Sequence, residues 1–198
     1  MSGLWVFVCG PSGAGKDSVI DSAQKVLGAR TGIVFARRMV TRAAHAGSDH
    51  DPVSASAFTD LLQSGGLCWH WQAHGFCYGI AGHYGDAVRS GCLVVVNGSR
   101  AHVESLPPSP ALRVVRISTD PDQLASRLLQ RGRDTAAAVA DRLARNLHFA
   151  DMQADCVIVN NGELAAAGHQ LAGYLASAVR PVSVIDSTPH LACMRTST

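Results

Sequence analysis

The residues best suited to chemistry lie in a glycine-rich segment near the start of the chain. Residues 10–16 read Gly-Pro-Ser-Gly-Ala-Gly-Lys and match the pattern G-x-x-x-x-G-K. Glycines allow consecutive backbone N–H groups to curl around phosphate oxygens, and the lysine supplies a mobile charge for the β- and γ-phosphates of ATP. The segment predicts a phosphate-binding loop whose ATP-binding residues are Gly10, Pro11, Ser12, Gly13, Ala14, Gly15, Lys16, Asp17 and Ser18.

The elements on either side fit such a loop. Leu4–Cys9 is a continuous apolar run of β-prone residues, as expected of a parallel strand that is buried on both faces. Lys16–Leu27 carries apolar residues at helical spacing, so the positive end of its dipole would face the phosphates. The alternative is a chance glycine-rich turn with a solvated lysine. The place of the loop between a buried strand and an amphipathic helix favours a P-loop kinase that uses ATP.

One position departs from the usual loop. The Ser or Thr that normally follows the lysine and contacts Mg²⁺ is Asp17 in this chain. Ser18 is a poor substitute as a metal ligand, because one further residue rotates the side chain by about 100° around the helix. A carboxylate binds hard cations well, so Asp17 is the candidate Mg²⁺ ligand, directly or through water. The alternative is an aspartate that only favours the helix N-terminus.

Hydrophobic patterning predicts an α/β fold in which a mainly parallel β-sheet is flanked by helices. Beyond the first strand, buried strands are expected at 93–96 and 112–117, and two further strands at Ile33–Ala36 and Cys156–Val159. Helices are expected at 54–62, 83–89, 120–130, 135–152 and 163–179. The rest of residues 37–89 shows no clear period and is expected to be irregular, and residues 181–198 are expected to form a loose tail.

Composition narrows the class of function. A chain of 198 residues is long enough for one domain, and 47% hydrophobic residues fit a compact fold. A net charge of +2 argues against general binding of polyanions, so nucleic acid is not an expected partner. Six cysteines without a CxxC pair fit a reducing compartment, and no apolar stretch suits a membrane span or a signal peptide. We therefore expect a cytoplasmic monomer or homodimer.

Two further groups of residues favour structural roles. His70 and His74 have the i, i+4 spacing of a helical metal pair, but the glycines around them argue against a helix, and companion carboxylates are missing. Trp69, Trp71 and Phe76 are expected to pack in a core rather than to stack on a base. Neither group predicts a cofactor site.

Several separate motifs resemble the guanylate kinase group of P-loop kinases over most of residues 4–180. Besides the loop, the matching motifs are Thr41-Arg42 with Gly47 and Val53-Ser54, Gly75 with Tyr78-Gly79, and Arg131-Gly132 with Arg142-Leu143. The resemblance implies a P-loop NTPase fold like that of nucleoside monophosphate kinases, with one domain over residues 1–180. It also implies an acceptor-binding insert at 37–90 and a lid at 131–145 that closes over ATP.

The guanine-binding residues of that group are missing. Where guanylate kinases recognise the base with a serine, a glutamate and a second serine, this chain has Arg38, Trp69 and Ile80. A site without those polar groups cannot pair with guanine, and such losses cost discrimination heavily. The tyrosine that the group carries ahead of Val53 is also replaced, by His50. Guanylate kinase activity is therefore not expected.

The cationic replacements resemble the ribose 1,5-bisphosphate phosphokinases, relatives of the guanylate kinases associated with phosphonate breakdown in bacteria. The motifs that carry this resemblance are Gly-Ala-Gly-Lys-Asp-Ser in the loop, Arg37-Arg38 with Thr41-Arg42, residues 71–75 with Tyr78-Gly79, and residues 95–100. The resemblance implies transfer of the γ-phosphoryl group of ATP, with Mg²⁺, to ribose 1,5-bisphosphate, giving 5-phosphoribosyl 1-diphosphate and ADP. An acceptor phosphate is already ionised at neutral pH, so positioning and charge neutralisation suffice without a general base.

Charge and resemblance together assign roles. Lys16, Arg131 and Arg142 are the predicted catalytic residues, which neutralise charge on the transferred phosphoryl group. Arg42 would clamp an acceptor phosphate with its guanidinium fork, and Tyr78 would donate its hydroxyl to the same phosphate.

The remaining substrate-binding candidates are Arg38, His50 and Asn97. Arg37 and Arg38 are neighbours in a strand and point to opposite faces, so only one of them is expected to reach the site, and the sequence leaves open which one. Asn97 ends the strand at 93–96, at the edge where such folds bind ligands. Guanylate kinases carry an aspartate there that supports the water shell of magnesium, and Asp17 would supply the charge that Asn97 lacks.

Two other functions stay open. One is a kinase for a nucleoside monophosphate or another small acceptor, which retained base recognition would favour. The other is a guanylate-kinase-like binding module without catalysis. An intact Lys16 together with Arg131 and Arg142 argues against the binding module.

Overall fold

The computed structural model describes residues 3–44, 49–130, 143–144, 146 and 152–179. The strands are β1 (Leu4–Cys9), β2 (Ile33–Ala36), β3 (Arg38–Val40), β4 (His50–Pro52), β5 (Leu67–Ala73), β6 (Phe76–Ala81), β7 (Leu93–Asn97), β8 (Leu112–Ser118) and β9 (Cys156–Val159). The helices are α1 (Lys16–Leu27), α2 (Ala55–Gln63), α3 (Gly82–Arg89), α4 (Arg100–Glu104), α5 (Pro121–Gln130) and α6 (Leu164–Ala178). Within these residues the strands form two sheets, one of five strands and one of four.

The five-stranded sheet has the order β2-β7-β1-β8-β9, and every neighbouring pair is parallel. Its central strand β1 is buried along its whole length. Val6 and Val8 pack with residues of α1 and α6, whereas Trp5 and Phe7 pack with α3, α4 and the second sheet. The apolar run without alternation is explained by these two cores, and the predicted α/β fold with a parallel sheet flanked by helices is confirmed.

The second sheet has the order β4-β3-β6-β5 and is built from residues of the predicted acceptor-binding insert. The expectation that residues 37–89 are mostly irregular is wrong. Strands β3 and β4 have only three residues each, so they are too short to show an alternating pattern. Strands β5 and β6 form a hairpin whose two turn residues, His74 and Gly75, have φ angles of 52° and 76°. A two-residue hairpin turn with both φ angles positive matches the twist of the strands it joins.

The helices agree with the sequence prediction except in one place. Helices α2, α3, α5 and α6 match the expected helices at 54–62, 83–89, 120–130 and 163–179. Helix α4 is absent from the prediction because five residues are too few for a hydrophobic period. Most of the predicted helix 135–152 and the whole predicted tail 181–198 lie outside the described residues. Among the helices of the described segments, none combines the length and apolar character of a membrane span.

Aromatic side chains join the two sheets. The ring of Trp69 in β5 meets Trp5 and Phe7 of β1 edge-on, with centroids 5.7 and 5.6 Å apart. Trp71 stacks with Tyr78 at 5.5 Å and with an imidazole of α4 at 5.0 Å. The expectation that Trp69 and Trp71 pack in a core is confirmed. The second sheet is therefore held against the first by a cluster of rings, which fixes how its residues face the loop.

Gly168 allows close packing of α6 on α1. A Cβ atom at this position would lie 2.1 Å from Ser22 Oγ, so Gly168→Ala should lower the free energy of unfolding by about 1–3 kcal/mol through overpacking. Gly173 lies in the same helix with open space around it, so Gly173→Ala should raise the free energy of unfolding by about 0.5–1 kcal/mol. Urea unfolding of both variants tests the pair, and a Gly168→Ala protein as stable as the wild type would contradict this packing.

Candidate active site

The glycine loop follows β1 at the carboxyl edge of the five-stranded sheet, where such folds bind ligands. A Cβ atom on Gly10 would lie 2.4 Å from the Ile117 carbonyl oxygen of β8. Gly13 has a φ angle of 95°, and a Cβ atom there would lie within 3.0 Å of side-chain atoms of Leu124 and Leu128 in α5. Gly10 and Gly13 are therefore required because β8 and α5 lie too close for a side chain, and because their φ angles are positive.

Asn160 fixes the shape of the loop and is missing from the sequence prediction. Its Nδ2 donates a 2.7 Å hydrogen bond to the Ala14 carbonyl oxygen, and its backbone N–H donates to Ser118 at 2.8 Å. Asn160 is buried and directly follows β9. The sequence signal that could have found it is its place directly after a predicted parallel strand, since the carboxyl ends of such strands meet at one edge of the sheet.

Lys16, the first residue of α1, is held by the loop itself. Its Nζ donates to the carbonyl oxygens of Gly10 at 2.9 Å and Pro11 at 3.1 Å. Burial lowers the pKa of Lys16 to about 8, and the charges of Arg38 and Arg100 act in the same direction while Asp17 opposes them. A buried ammonium close to other cations is stabilised by a polyanion, so this arrangement suits phosphate binding.

Asp17, Arg38 and Asn97 meet at one carboxylate oxygen. Arg38 of β3 donates from Nη2 to Asp17 Oδ1 at 3.1 Å, and Asn97 at the end of β7 donates from Nδ2 to the same oxygen. The Arg38 side chain is only 16% exposed, whereas the Asp17 side chain is 62% exposed. The structure thus brings together three of the predicted residues, one from the loop helix, one from the second sheet and one from the edge of the first sheet.

This cluster fits a hard cation. The Asp17 carboxylate is accessible, and Asn97 Oδ1 is buried without a hydrogen-bond partner among the described residues. Mg²⁺ prefers oxygen ligands, and an amide oxygen with no other partner next to a carboxylate supplies two of them. Asp17 lies close enough to Asn97 to supply the negative charge that an aspartate at position 97 would carry.

Neighbouring Arg37 points away from the cluster. Its Nε donates to Asp51 Oδ1 at 2.5 Å, its Nη1 lies 3.6 Å from Asp49 Oδ1, and its side chain is half exposed. Arg37 therefore stabilises the second sheet next to β4. Of these two neighbours, Arg38 is the arginine that contacts Asp17.

The other predicted acceptor residues lie within the second sheet and its loops. Arg42 places its guanidinium carbon 5.7 Å from the ring centroid of Phe76, and its buried Nε has no hydrogen-bond partner among the described residues. His50 is 2% exposed, and its Nε2 lies 3.3 Å from the Arg42 carbonyl oxygen. This burial favours support of the Arg42 segment over direct contact of His50 with a phosphate. Tyr78 is buried with its ring stacked on Trp71.

The predicted catalytic arginines of the lid, Arg131 and Arg142, lie outside the described residues. Helix α5 leads directly into the predicted lid, and it packs against the loop through Leu124 and Leu128. A cation missing from the prediction is Arg100 at the start of α4, whose Nη2 donates to Asn146 Oδ1 at 2.9 Å.

Comparison with known proteins identifies relatives over most of the chain. No protein-family model matches the sequence. The ribose 1,5-bisphosphate phosphokinase PhnN of Acidiphilium cryptum is 41% identical over 174 residues, which are 88% of this chain and 93% of that protein. PhnN of Laribacter hongkongensis is 41% identical over 89% of this chain, and the bifunctional ribose 1,5-bisphosphokinase-thymidine phosphorylase of Azorhizobium caulinodans is 45% identical over 74%. The chain spans only 43% and 21%, respectively, of the length of these two relatives.

The fold has a counterpart among solved structures. Guanylate kinase from Anaplasma phagocytophilum matches with a TM-score of 0.64 and 18% identity, over 90% of this chain and 87% of that one. This likeness confirms the P-loop NTPase fold of the nucleoside monophosphate kinase type. Together with the identities over most of the sequence, it establishes that the chain belongs to the ribose 1,5-bisphosphate phosphokinase family.

Proposed function

We propose that this chain transfers the γ-phosphoryl group of ATP to ribose 1,5-bisphosphate, giving 5-phosphoribosyl 1-diphosphate and ADP, in the breakdown of phosphonates. The observation that carries the proposal is the position of Arg38, a cation that replaces a guanine-recognition serine and reaches the loop carboxylate of Asp17. Arg38 comes from the second sheet and meets Asp17 at the start of α1, next to the glycine loop. An acceptor made of phosphates suits that position better than a base.

The two residues that stand at the positions of guanine-recognition side chains by the motif resemblance, Trp69 and Ile80, pack against apolar neighbours. Trp69 packs edge-on against Trp5 and Phe7, and Ile80 has no solvent exposure. Ile80 offers no hydrogen bond to the Watson–Crick edge of a purine, and Trp69 offers only its indole N–H. The donor groups of guanine would therefore find no acceptor in these two side chains. This observation supports a sugar phosphate over GMP as the acceptor.

The proposed chemistry requires charge neutralisation rather than proton transfer. The attacking oxygen belongs to an acceptor phosphate that is ionised at neutral pH. Lys16 would bind the β- and γ-phosphates, and Arg38 and Arg42 would orient the acceptor. We assign charge neutralisation on the transferred group to Arg131 and Arg142, on the strength of the resemblance of their segment to a kinase lid.

We further propose that Asp17 and Asn97 hold Mg²⁺, directly or through its water shell. When bound, Mg²⁺ would neutralise phosphate charge and fix the geometry of the nucleotide. Asn97 would act through the oxygen that lacks a partner, and Asp17 through its exposed carboxylate. The protein would work in the cytoplasm on small phosphorylated molecules, as a monomer or homodimer, without nucleic acid or membrane partners.

Turnover with different acceptors tests the proposed reaction. A coupled assay of ADP release with ATP and Mg²⁺ should show activity with ribose 1,5-bisphosphate and none with GMP or AMP. Lys16→Ala should lower kcat by about 10²–10³-fold, because a preorganised charge on the phosphates is lost. Lys25→Ala is the matched control, since Lys25 lies on the same helix in an exposed pair with Asp21. Turnover with a nucleotide would overturn the reading of Arg38, Trp69 and Ile80, and ATP binding without turnover of any acceptor would favour a binding module.

Replacement of Asp17 tests the metal assignment. Asp17→Asn keeps the shape of the side chain and removes its charge, so the Mg²⁺ concentration for half-maximal activity should rise about 10- to 100-fold. Asp21→Asn makes the same exchange on an exposed residue of α1 and should leave the Mg²⁺ titration unchanged. If Asp17→Asn also leaves it unchanged, Asp17 does not support the metal.

The lowered pKa of Lys16 predicts proton uptake on ATP binding. The pKa of Lys16 in the free protein is lowered to about 8, so at pH 8.5 most of the free protein carries a neutral Lys16. The phosphates of ATP should raise this pKa, because they stabilise the ammonium form. Calorimetric titrations at pH 8.5 in two buffers with different ionisation enthalpies should therefore give different heats. Lys16→Arg keeps a permanent charge and should abolish the difference. Equal heats for the wild-type protein in both buffers would show that Lys16 stays charged without nucleotide.

A further inference from the structure

A second cleft lies outside the glycine loop, between the outer strand β5 of the second sheet and the short helix α4. Its volume is about 430 Å³, within the range of small-molecule sites. The residues that line it come from two short segments and are His70, Trp71, Gln72, Ala101, His102 and Ser105. Helix α4 follows β7 by two residues, so one stretch of chain connects Asn97 at the Asp17 cluster with the wall of this cleft.

We propose that this cleft binds the ribose ring and 5-phosphate of the acceptor, the part of ribose 1,5-bisphosphate that does not receive the phosphoryl group. The inference rests on the proposed function. The residues of β5 and α4 that would hold the distal end of the acceptor are not among the site residues predicted from the sequence.

The direction of the acceptor supports this assignment. Trp69 packs edge-on against Phe7 and Ile80 has no solvent exposure, so polar partners for the sugar of an acceptor have to come from other residues. The ring of Trp71 stacks with the ring of Tyr78 at a centroid distance of 5.5 Å and with the ring of His102 at 5.0 Å. Tyr78 is a proposed ligand of the acceptor phosphate, so the cleft lies one aromatic ring away from it.

The lining groups have the chemistry of a sugar phosphate site. Two imidazoles, an amide and a hydroxyl line the cleft, and the six lining residues include no carboxylate. Such groups donate and accept hydrogen bonds with hydroxyls and accommodate phosphate oxygens. The absence of negative charge among these six residues matters because a carboxylate beside the second phosphate would repel it.

His102 is the residue whose state would change most on binding. Its Nε2 is buried without a hydrogen-bond partner among the described residues, and burial with the nearby charge of His70 lowers the pKa of its imidazole. A phosphate group in the cleft would offset both effects, because it accepts hydrogen bonds and stabilises a positive imidazole. His102 Nε2 can therefore form a hydrogen bond with a hydroxyl or phosphate oxygen of a ligand in the cleft.

A charge change at Gln72 tests the inference without disturbing the aromatic stack. Gln72 is exposed, so Gln72→Glu keeps the side-chain shape and places a carboxylate at the cleft. The Kd of ribose 5-phosphate, followed by tryptophan fluorescence, should rise about tenfold or more through like-charge repulsion. His102→Gln should also weaken ribose 5-phosphate binding. Gln63→Glu, on an exposed position of α2, is the matched control and should not change it.

Kinetics separate this inference from the proposed reaction. In Gln72→Glu and His102→Gln, the KM for ribose 1,5-bisphosphate should rise about tenfold while the KM for ATP stays the same. Unchanged Kd and KM for both sugar phosphates in both variants would overturn the cleft assignment even if the wild-type enzyme turns over ribose 1,5-bisphosphate. A wild-type protein without turnover would instead overturn the proposed function. The cleft assignment would then stand or fall with the dependence of ribose 5-phosphate binding on Gln72.

Discussion

Burial of β1 on both faces is the constraint on which the rest of the site depends. A strand covered on two sides has to lie in the middle of the sheet, with parallel partners on both edges. The register pairs Val8 with Asn97 on one side and Cys9 with Arg116 on the other. The glycine loop, Asn97 and Asn160 therefore reach one edge together. Polar groups from distant parts of the sequence converge there as a consequence of packing.

The aromatic cluster connects the second sheet to the first. Trp69 packs edge-on against Trp5 and Phe7 of β1. With the sheet fixed in this way, Arg38 is directed at the loop and Arg37 at the solvent-exposed carboxylates of β4 and its preceding residue. Arg37 lies between β2 and β3, whereas Arg38 begins β3, so the path of the backbone decides which arginine reaches Asp17.

Local patterns in the sequence were sufficient for the loop, β1 and α1, because each depends on neighbouring residues. Strands β3 and β4 of the second sheet were missed because they are shorter than the pattern that reveals a strand, whereas shortness does not explain why β5 and β6, with seven and six residues, were missed. Asn160 was missed for a different reason, because its partner Ala14 is 146 residues away and no local pattern connects them. The pairing of Asp17 with Asn97 was anticipated only as a chemical exchange between two positions. His50 shows the limit of reading charge from residue type, because its ring is buried against a backbone carbonyl.

The bond between Asn160 and Ala14 also bears on how the protein folds. The nucleotide loop lies near the first residues of the chain, yet one of its carbonyl groups is held by a residue that follows the last strand of the sheet. During synthesis the first strand and loop emerge from the ribosome long before this partner exists. A contact of such high sequence separation forms late, because the intervening chain must first be ordered. Nucleotide can thus stabilise the chain fully only after nearly the whole domain has been made.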